Sequence, residues 1–219
     1  MKNKFKYYIL LFLVVFMLSC WKEIDNKSIN DSKVIVALGD SLTFWYWLDE
    51  KFSYPSILTD ILNKNWYNYK VINWWISWNT SKQLLDRISD FDEYKNAEIY
   101  LLNIWANDWL RKMNLDDMKE NIIEIIKYLK EINPNWKIIL FSIKLPITFG
   151  LWYSSDFNNV IKNISDKYDI AYFWNFLEDV QWKRELNLLD RMHPNEKWYE
   201  IISNNIYNYL IKNNYLKNK

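Results

Sequence analysis

The chain has one histidine, His193, and it stands three residues after an aspartate in Asp190-Arg191-Met192-His193-Pro194-Asn195. A carboxylate so placed can hydrogen-bond one ring nitrogen, fixing the tautomer and orientation of the imidazole. The other nitrogen is then free to take a proton from a hydroxyl. Ser41 is the natural source of that hydroxyl, at the end of an apolar run in residues 34–42 (VIVALGDSL). A lone histidine is more often structural than catalytic, and Gly-Asp-Ser is a common turn. Together, however, the pieces supply a nucleophile, a base and a group that orients the base. One histidine and one cysteine cannot build a zinc site of the usual kinds, so neither a metal nor another cofactor is expected.

Such a set needs a scaffold that brings residue 41 to residues 190 and 193. Five short apolar runs are candidate strands: residues 34–38, 71–72, 99–102, 137–141 and 170–173. Continuous apolar runs suit strands covered on both faces. Helical patterns lie between them. Ser53-Tyr54-Pro55 opens one with a capping serine and an early proline, and it continues through Leu62. Residues 115–131 and 201–210 carry apolar stripes at helical spacing. The alternation predicts a three-layer α/β/α domain on a parallel five-stranded sheet of flavodoxin-like type. Ligands in such sheets bind beyond the carboxyl ends of the strands. The polar clusters fall there: Asp40-Ser41 after the first run, Ser77 to Thr80 after the second, and Asn107-Asp108 after the third. Asp40 and Asp108 read as structural supports of their loops.

The N-terminus reads as a leader. Lys2, Lys4 and Lys6 precede an apolar run over residues 7–18, and Ser19-Cys20 follows. This is the layout of a secretory signal, and the run is short for a membrane span. An uncleaved anchor is the alternative. Cys20 is the only cysteine, so it cannot form an intrachain disulfide. Its position resembles the lipidated cysteine of a bacterial lipobox, although Met17 stands where leucine is usual. Residues 1–19 are therefore expected to be a signal peptide, 20–32 a lipidated cysteine with a polar tether, and 33–219 the folded domain. The protein would be an extracytoplasmic lipoprotein held to a membrane by that anchor. A net charge of +1 gives no electrostatic support for a nucleic-acid partner, and a monomer is expected.

The motifs resemble those of the SGNH (GDSL) hydrolases. Gly39-Asp40-Ser41-Leu42 is similar to their first block, and Asp190-x-x-His193-Pro194 to their last. Between these, residues 73–80 (NWWISWNT) resemble the block N-A-G-x-S-G-D-T. Residues 105–108 (WAND) resemble G-x-N-D. Residues 43–48 (TFWYWL), 107–111 (NDWLR) and 144–153 (KLPITFGLWY) extend the likeness, which spans residues 34–210. The branch indicated contains acyl thioesterases, lysophospholipases and arylesterases. The resemblance implies a serine esterase acting on ester or thioester bonds of acyl lipids or small acyl esters. Ser41, His193 and Asp190 would form the triad. The backbone N–H groups of Ser41 and Trp78 and the side chain of Asn107 would form the oxyanion hole. A carbohydrate acetylesterase of the same fold is the alternative. A third reading, an inactive binding lipoprotein with exposed tryptophans, requires those tryptophans to be real.

The chain carries 14 Trp and 2 Gly. Ordinary composition would give about 7% Gly, and parallel α/β folds need glycine in their tight turns. Trp stands where the resembled blocks have Gly, at Trp78 and Trp105 above all, and elsewhere in places that suit glycine, such as Trp66, Trp136 and Trp198. The pattern predicts a gene in which UGA specifies glycine, rendered here as tryptophan. Trp78 would otherwise crowd the oxyanion site and Trp105 the turn beside it. Intact mass and near-ultraviolet absorbance of the protein from its own cells test this reading; strong absorbance at the written mass would end it.

Overall fold

A computed structural model describes residues 32–40, 43, 49–90, 95–143, 151–180, 183–186 and 195–218, with the backbone alone at 151–155. Within it, Lys33–Lys219 pack as one compact unit. The expected cysteine anchor at Cys20 and its leader lie outside the described residues.

Among the described residues five strands are found: β1 (Lys33–Gly39), β2 (Tyr69–Trp75), β3 (Ile99–Asn103), β4 (Lys137–Phe141) and β5 (Ala171–Phe173). All neighbours pair in parallel, in the order β2-β1-β3-β4-β5. This is the flavodoxin-like order, with its switch point between β1 and β3. Strand β2 is longer than the apolar pair at 71–72 suggests, because backbone pairing with β1 carries it through Asn73, Trp74 and Trp75. The register sets Gly39 level with Trp75 on one side and Asn103 on the other. Three loops therefore leave the sheet side by side at its carboxyl edge.

Among the described residues six α-helices accompany the strands: α1 (Tyr54–Lys64), α2 (Ser81–Arg87), α3 (Ala106–Leu110), α4 (Leu115–Ile132), α5 (Leu151–Tyr168) and α6 (Glu196–Lys212). α1 packs on α6, while α4 packs on both α2 and α5. The Ser53 hydroxyl accepts from the Ser56 N–H at 3.4 Å and so caps α1, with Pro55 in its first turn. In α4, Asn114 caps the N-terminus and Met118, Ile122, Ile125, Ile126 and Leu129 are buried. Each such aliphatic side chain stabilises the fold by about 1.5–3 kcal/mol relative to exposure. β3 is buried along its whole length. The core thus fixes the sheet, and the sheet fixes the three loop origins.

Candidate active site

The first loop leaves β1 at Gly39. A Cβ on this residue would run into the Thr43 side chain and stand 3.3 Å from the Asn103 carbonyl. Glycine is therefore a packing requirement here. The Thr43 N–H donates to the Asp40 carbonyl at 3.0 Å, joining the two sides of the turn that contains residue 41. Asp40 is fully buried. Its charge reaches the phenols of Tyr54 on α1 and Tyr199 on α6, both pushed above the ordinary tyrosine value chiefly by burial and further by Asp40.

The second loop follows β2. The Asn79 N–H donates to the Ile76 carbonyl at 3.3 Å, closing a turn over residues 76–79. Its third residue, Trp78, has φ +65°, while Ser77 does not have positive φ. This is the pattern of a type II turn, whose third position favours glycine. The indole of Trp78 is half exposed. The loop runs directly into α2, where Thr80 and Gln83 form a reciprocal capping box.

The third loop carries β3 into α3. Asn107 is buried, and its Nδ2 donates to the Asn79 carbonyl at 3.0 Å. A side-chain amide has two N–H donors, and among the described residues only one of them is engaged. Asp108, also buried, accepts from the Ser81 N–H at 2.8 Å and from the Ser81 hydroxyl at 2.6 Å. Asn121 on α4 donates to the same hydroxyl at 3.1 Å. Burial pushes the Asp108 carboxyl above the ordinary aspartate value, against the opposing pull of the Ser81 donors and of Arg111. Asp108 thus locks the start of α2 to α3, as its reading as a loop support expects.

Of the expected site residues, Trp78 and Asn107 are brought together at the carboxyl edge, through the Asn79 carbonyl. Ser41, Asp190 and His193 lie outside the described residues. Trp105 differs from expectation. It does not crowd the turn; it is wholly buried, its Nε1 donates to the Phe141 carbonyl at 2.8 Å, and its ring packs on Phe157. Its φ of −156° and ψ of −11° lie outside both the helical and the extended regions, and its indole lies in the core. Trp198 likewise sits inside α6, buried, instead of in a linker. Two residues with a part in the site have no role assigned from sequence, although residue 111 closes the block at 107–111. Ser81 is one. Arg111 is the other, its Nη2 donating to the Trp78 carbonyl at 2.8 Å. The available signal was spacing, since Arg111 lies one helical turn beyond Asn107.

A flavodoxin-like sheet with polar, hydrogen-bonded loops gathered at its switch point is a scaffold that SGNH hydrolases share. The chain belongs to the GDSL-like Lipase/Acylhydrolase family, which it matches over residues 37–201, and it is a carboxylic-ester hydrolase. It is 28% identical over 163 residues to an arylesterase of Vibrio mimicus, covering 74% of this chain and 80% of that protein. It is 26% identical over 162 residues to thioesterase 1/protease 1/lysophospholipase L1 of Escherichia coli (strain K12), covering 74% and 75%. Among solved structures it resembles the psychrotrophic esterase EstA from Pseudoalteromonas sp., inhibited there by monoethylphosphonate. The TM-score is 0.77 at 27% identity, over 83% of this chain and 98% of that one.

Proposed function

We propose that the protein hydrolyses ester or thioester bonds of acyl lipids or small acyl esters, with Ser41 as nucleophile, His193 as base and Asp190 as the residue that orients it. The observation that carries this reading is the buried Asn107 amide. It is held at 3.0 Å on the carbonyl beside a positive-φ turn, at the edge of the sheet where the Asp40–Thr43 turn also emerges.

In this reading the Ser41 hydroxyl attacks the acyl carbon while His193 accepts its proton, and Asp190 stabilises the imidazolium. Negative charge gathers on the former carbonyl oxygen. It meets the N–H groups of residues 41 and 78 and the second N–H of Asn107 Nδ2, each such donor being worth about 2.7–4 kcal/mol in the transition state. Collapse expels the alcohol or thiol, protonated by His193. Water then repeats the sequence on the acyl-enzyme and regenerates Ser41. No hydrogen bond from the Trp78 N–H is found among the described residues, which leaves that donor for the oxyanion.

The relatives' printed names, arylesterase and thioesterase 1/protease 1/lysophospholipase L1, favour acyl-lipid and small acyl-ester substrates for this chain too. The same proposal includes attachment outside the cytoplasm through lipid on Cys20; a Cys20→Ser chain should then leave the membrane fraction.

The decisive experiment is turnover of p-nitrophenyl acyl esters of increasing chain length by the parent chain and by Ser41→Ala. Loss of essentially all hydrolysis in Ser41→Ala is expected, with preference for longer acyl groups pointing to lipids. Undiminished turnover in that variant would refute the nucleophile.

A further inference from the structure

We infer that Arg111 is a positioning residue for the oxyanion hole, acting through the backbone of residue 78. The inference rests on the proposed site but concerns a residue outside the triad and the set of donors.

Arg111 caps the C-terminus of α3, and Asn107 stands four residues earlier on the same helix. Side chains four apart on a helix share one face. Here both reach across to the loop after β2 and grip consecutive carbonyls. Arg111 Nη2 donates to that of Trp78 at 2.8 Å, and Asn107 Nδ2 to that of Asn79 at 3.0 Å. A third hydrogen bond, from the Asn79 N–H to the Ile76 carbonyl, closes the turn between them.

Two of the three oxyanion donors depend on this arrangement. The N–H of residue 78 points according to the rotation of a turn held at φ +65°, a conformation that L-residues rarely adopt. The Asn107 amide keeps its free N–H aimed only while its other N–H stays on the Asn79 carbonyl. Fixing the carbonyl of residue 78 resists relaxation of the turn out of the left-handed region, which would swing both donors together. Asn107 is buried on rigid helix, so Arg111 is the exposed half of a two-point clamp. Its guanidinium grips a backbone atom, which is present whatever side chain residue 78 bears.

The test compares Arg111→Lys and Arg111→Ala with the parent and with Ser41→Ala, in chains with Trp78 and with Trp78→Gly. Because misplaced donors weaken the transition state more than the bound ester, kcat should fall while KM changes little. The loss in Arg111→Ala should approach the roughly 10²-fold that ångström-scale misplacement costs. Arg111→Lys should recover part of it, and added guanidinium ion should restore turnover to Arg111→Ala without affecting the parent. Affinity for a phosphonate that mimics the tetrahedral state should fall in parallel with kcat. An Arg111→Ala chain with unchanged kcat overturns the inference, as does one whose only change is a lower melting temperature. Should Ser41→Ala remain active, the underlying site reading fails instead.

Discussion

Among the described residues two tryptophans sit in left-handed backbone, Trp66 at φ +67° and Trp78 at φ +65°, and the surroundings treat them differently. Trp66 follows the end of α1. The Tyr67 N–H donates to the Leu62 carbonyl at 3.0 Å and the Trp66 N–H to the Asn63 carbonyl at 3.1 Å. This is a Schellman ending, whose left-handed position is most often glycine. Trp66 is 86% exposed and contributes almost no packing. Trp78 has equivalent strain, but two side chains from α3 hold the carbonyls at and after it. At the helix end the Asn65 side chain donates back to the Ile61 carbonyl at 2.8 Å, and among the described residues none grips the carbonyl of residue 66 itself, whereas at the catalytic loop two side chains hold the carbonyls at and after the left-handed residue. A left-handed L-residue costs roughly 1–2 kcal/mol. At the helix end this is a plain stability penalty. At the loop it opposes the geometry on which activity depends, so side chains have been recruited against it. Both positions have the backbone of glycine, in accord with the proposal that they are glycine in the protein as its own cells make it.

The contrast predicts that changes at the loop register in turnover and changes at the helix end in stability. The largest effect belongs to Asn107→Ala, made in a Trp78→Gly chain. It removes an oxyanion donor and frees the Asn79 carbonyl, so kcat should fall by about 10²–10³. A loss of less than about tenfold, measured on p-nitrophenyl esters, would take Asn107 out of the oxyanion hole. Next comes residue 78 itself. Trp78→Gly should raise kcat/KM by about tenfold, the factor that corresponds to the roughly 1–2 kcal/mol of relieved strain. Trp78→Ala separates strain from bulk, since alanine removes the indole and keeps the Cβ. If the alanine and glycine chains gain equally, bulk alone limits the written enzyme and the left-handed turn does not.

The sheet was largely legible because β1, β3 and β4 are covered on both faces and therefore read as unbroken apolar runs. β2 was legible only at Val71 and Ile72, since its later residues Asn73, Trp74 and Trp75 are placed by pairing with β1, which leaves no pattern in the residue types. Helices are legible where a stripe is dense, as in α4; α5 is not, because its buried Phe157, Ile161 and Ile164 are spread among polar residues. At the site, Asn107 is identifiable from its motif; Arg111 stands in the same block at 107–111, but its role is not legible, because what it recognises is a main-chain carbonyl and no residue type announces one. Trp105 shows the converse. Its sequence position suggests obstruction, yet its indole is held in the interior by a donor-acceptor match with the Phe141 carbonyl that only the packed core reveals.

The smallest effects test whether Trp66 is out of place at all. α6 ends with the same two hydrogen bonds as α1: the Tyr215 N–H donates to the Leu210 carbonyl at 3.0 Å and the Asn214 N–H to the Ile211 carbonyl at 3.0 Å. Its left-handed residue is Asn214, at φ +55°. Asparagine is one of the few L-residues that visit this region routinely. The two helix ends therefore have one geometry and two occupants, one suited to it and one not. Trp66→Gly should stabilise the chain by about 1 kcal/mol, somewhat less than the full strain because glycine also loosens the unfolded chain. Asn214→Gly should change stability by only about a few tenths of a kcal/mol. Neither should alter kcat, since both lie away from the loops after β1, β2 and β3. Paired urea unfolding curves measure the difference between them. If Trp66→Gly proves no more stabilising than Asn214→Gly, the indole is tolerated at that turn, and left-handed backbone ceases to be a reason for reading residue 66 as glycine.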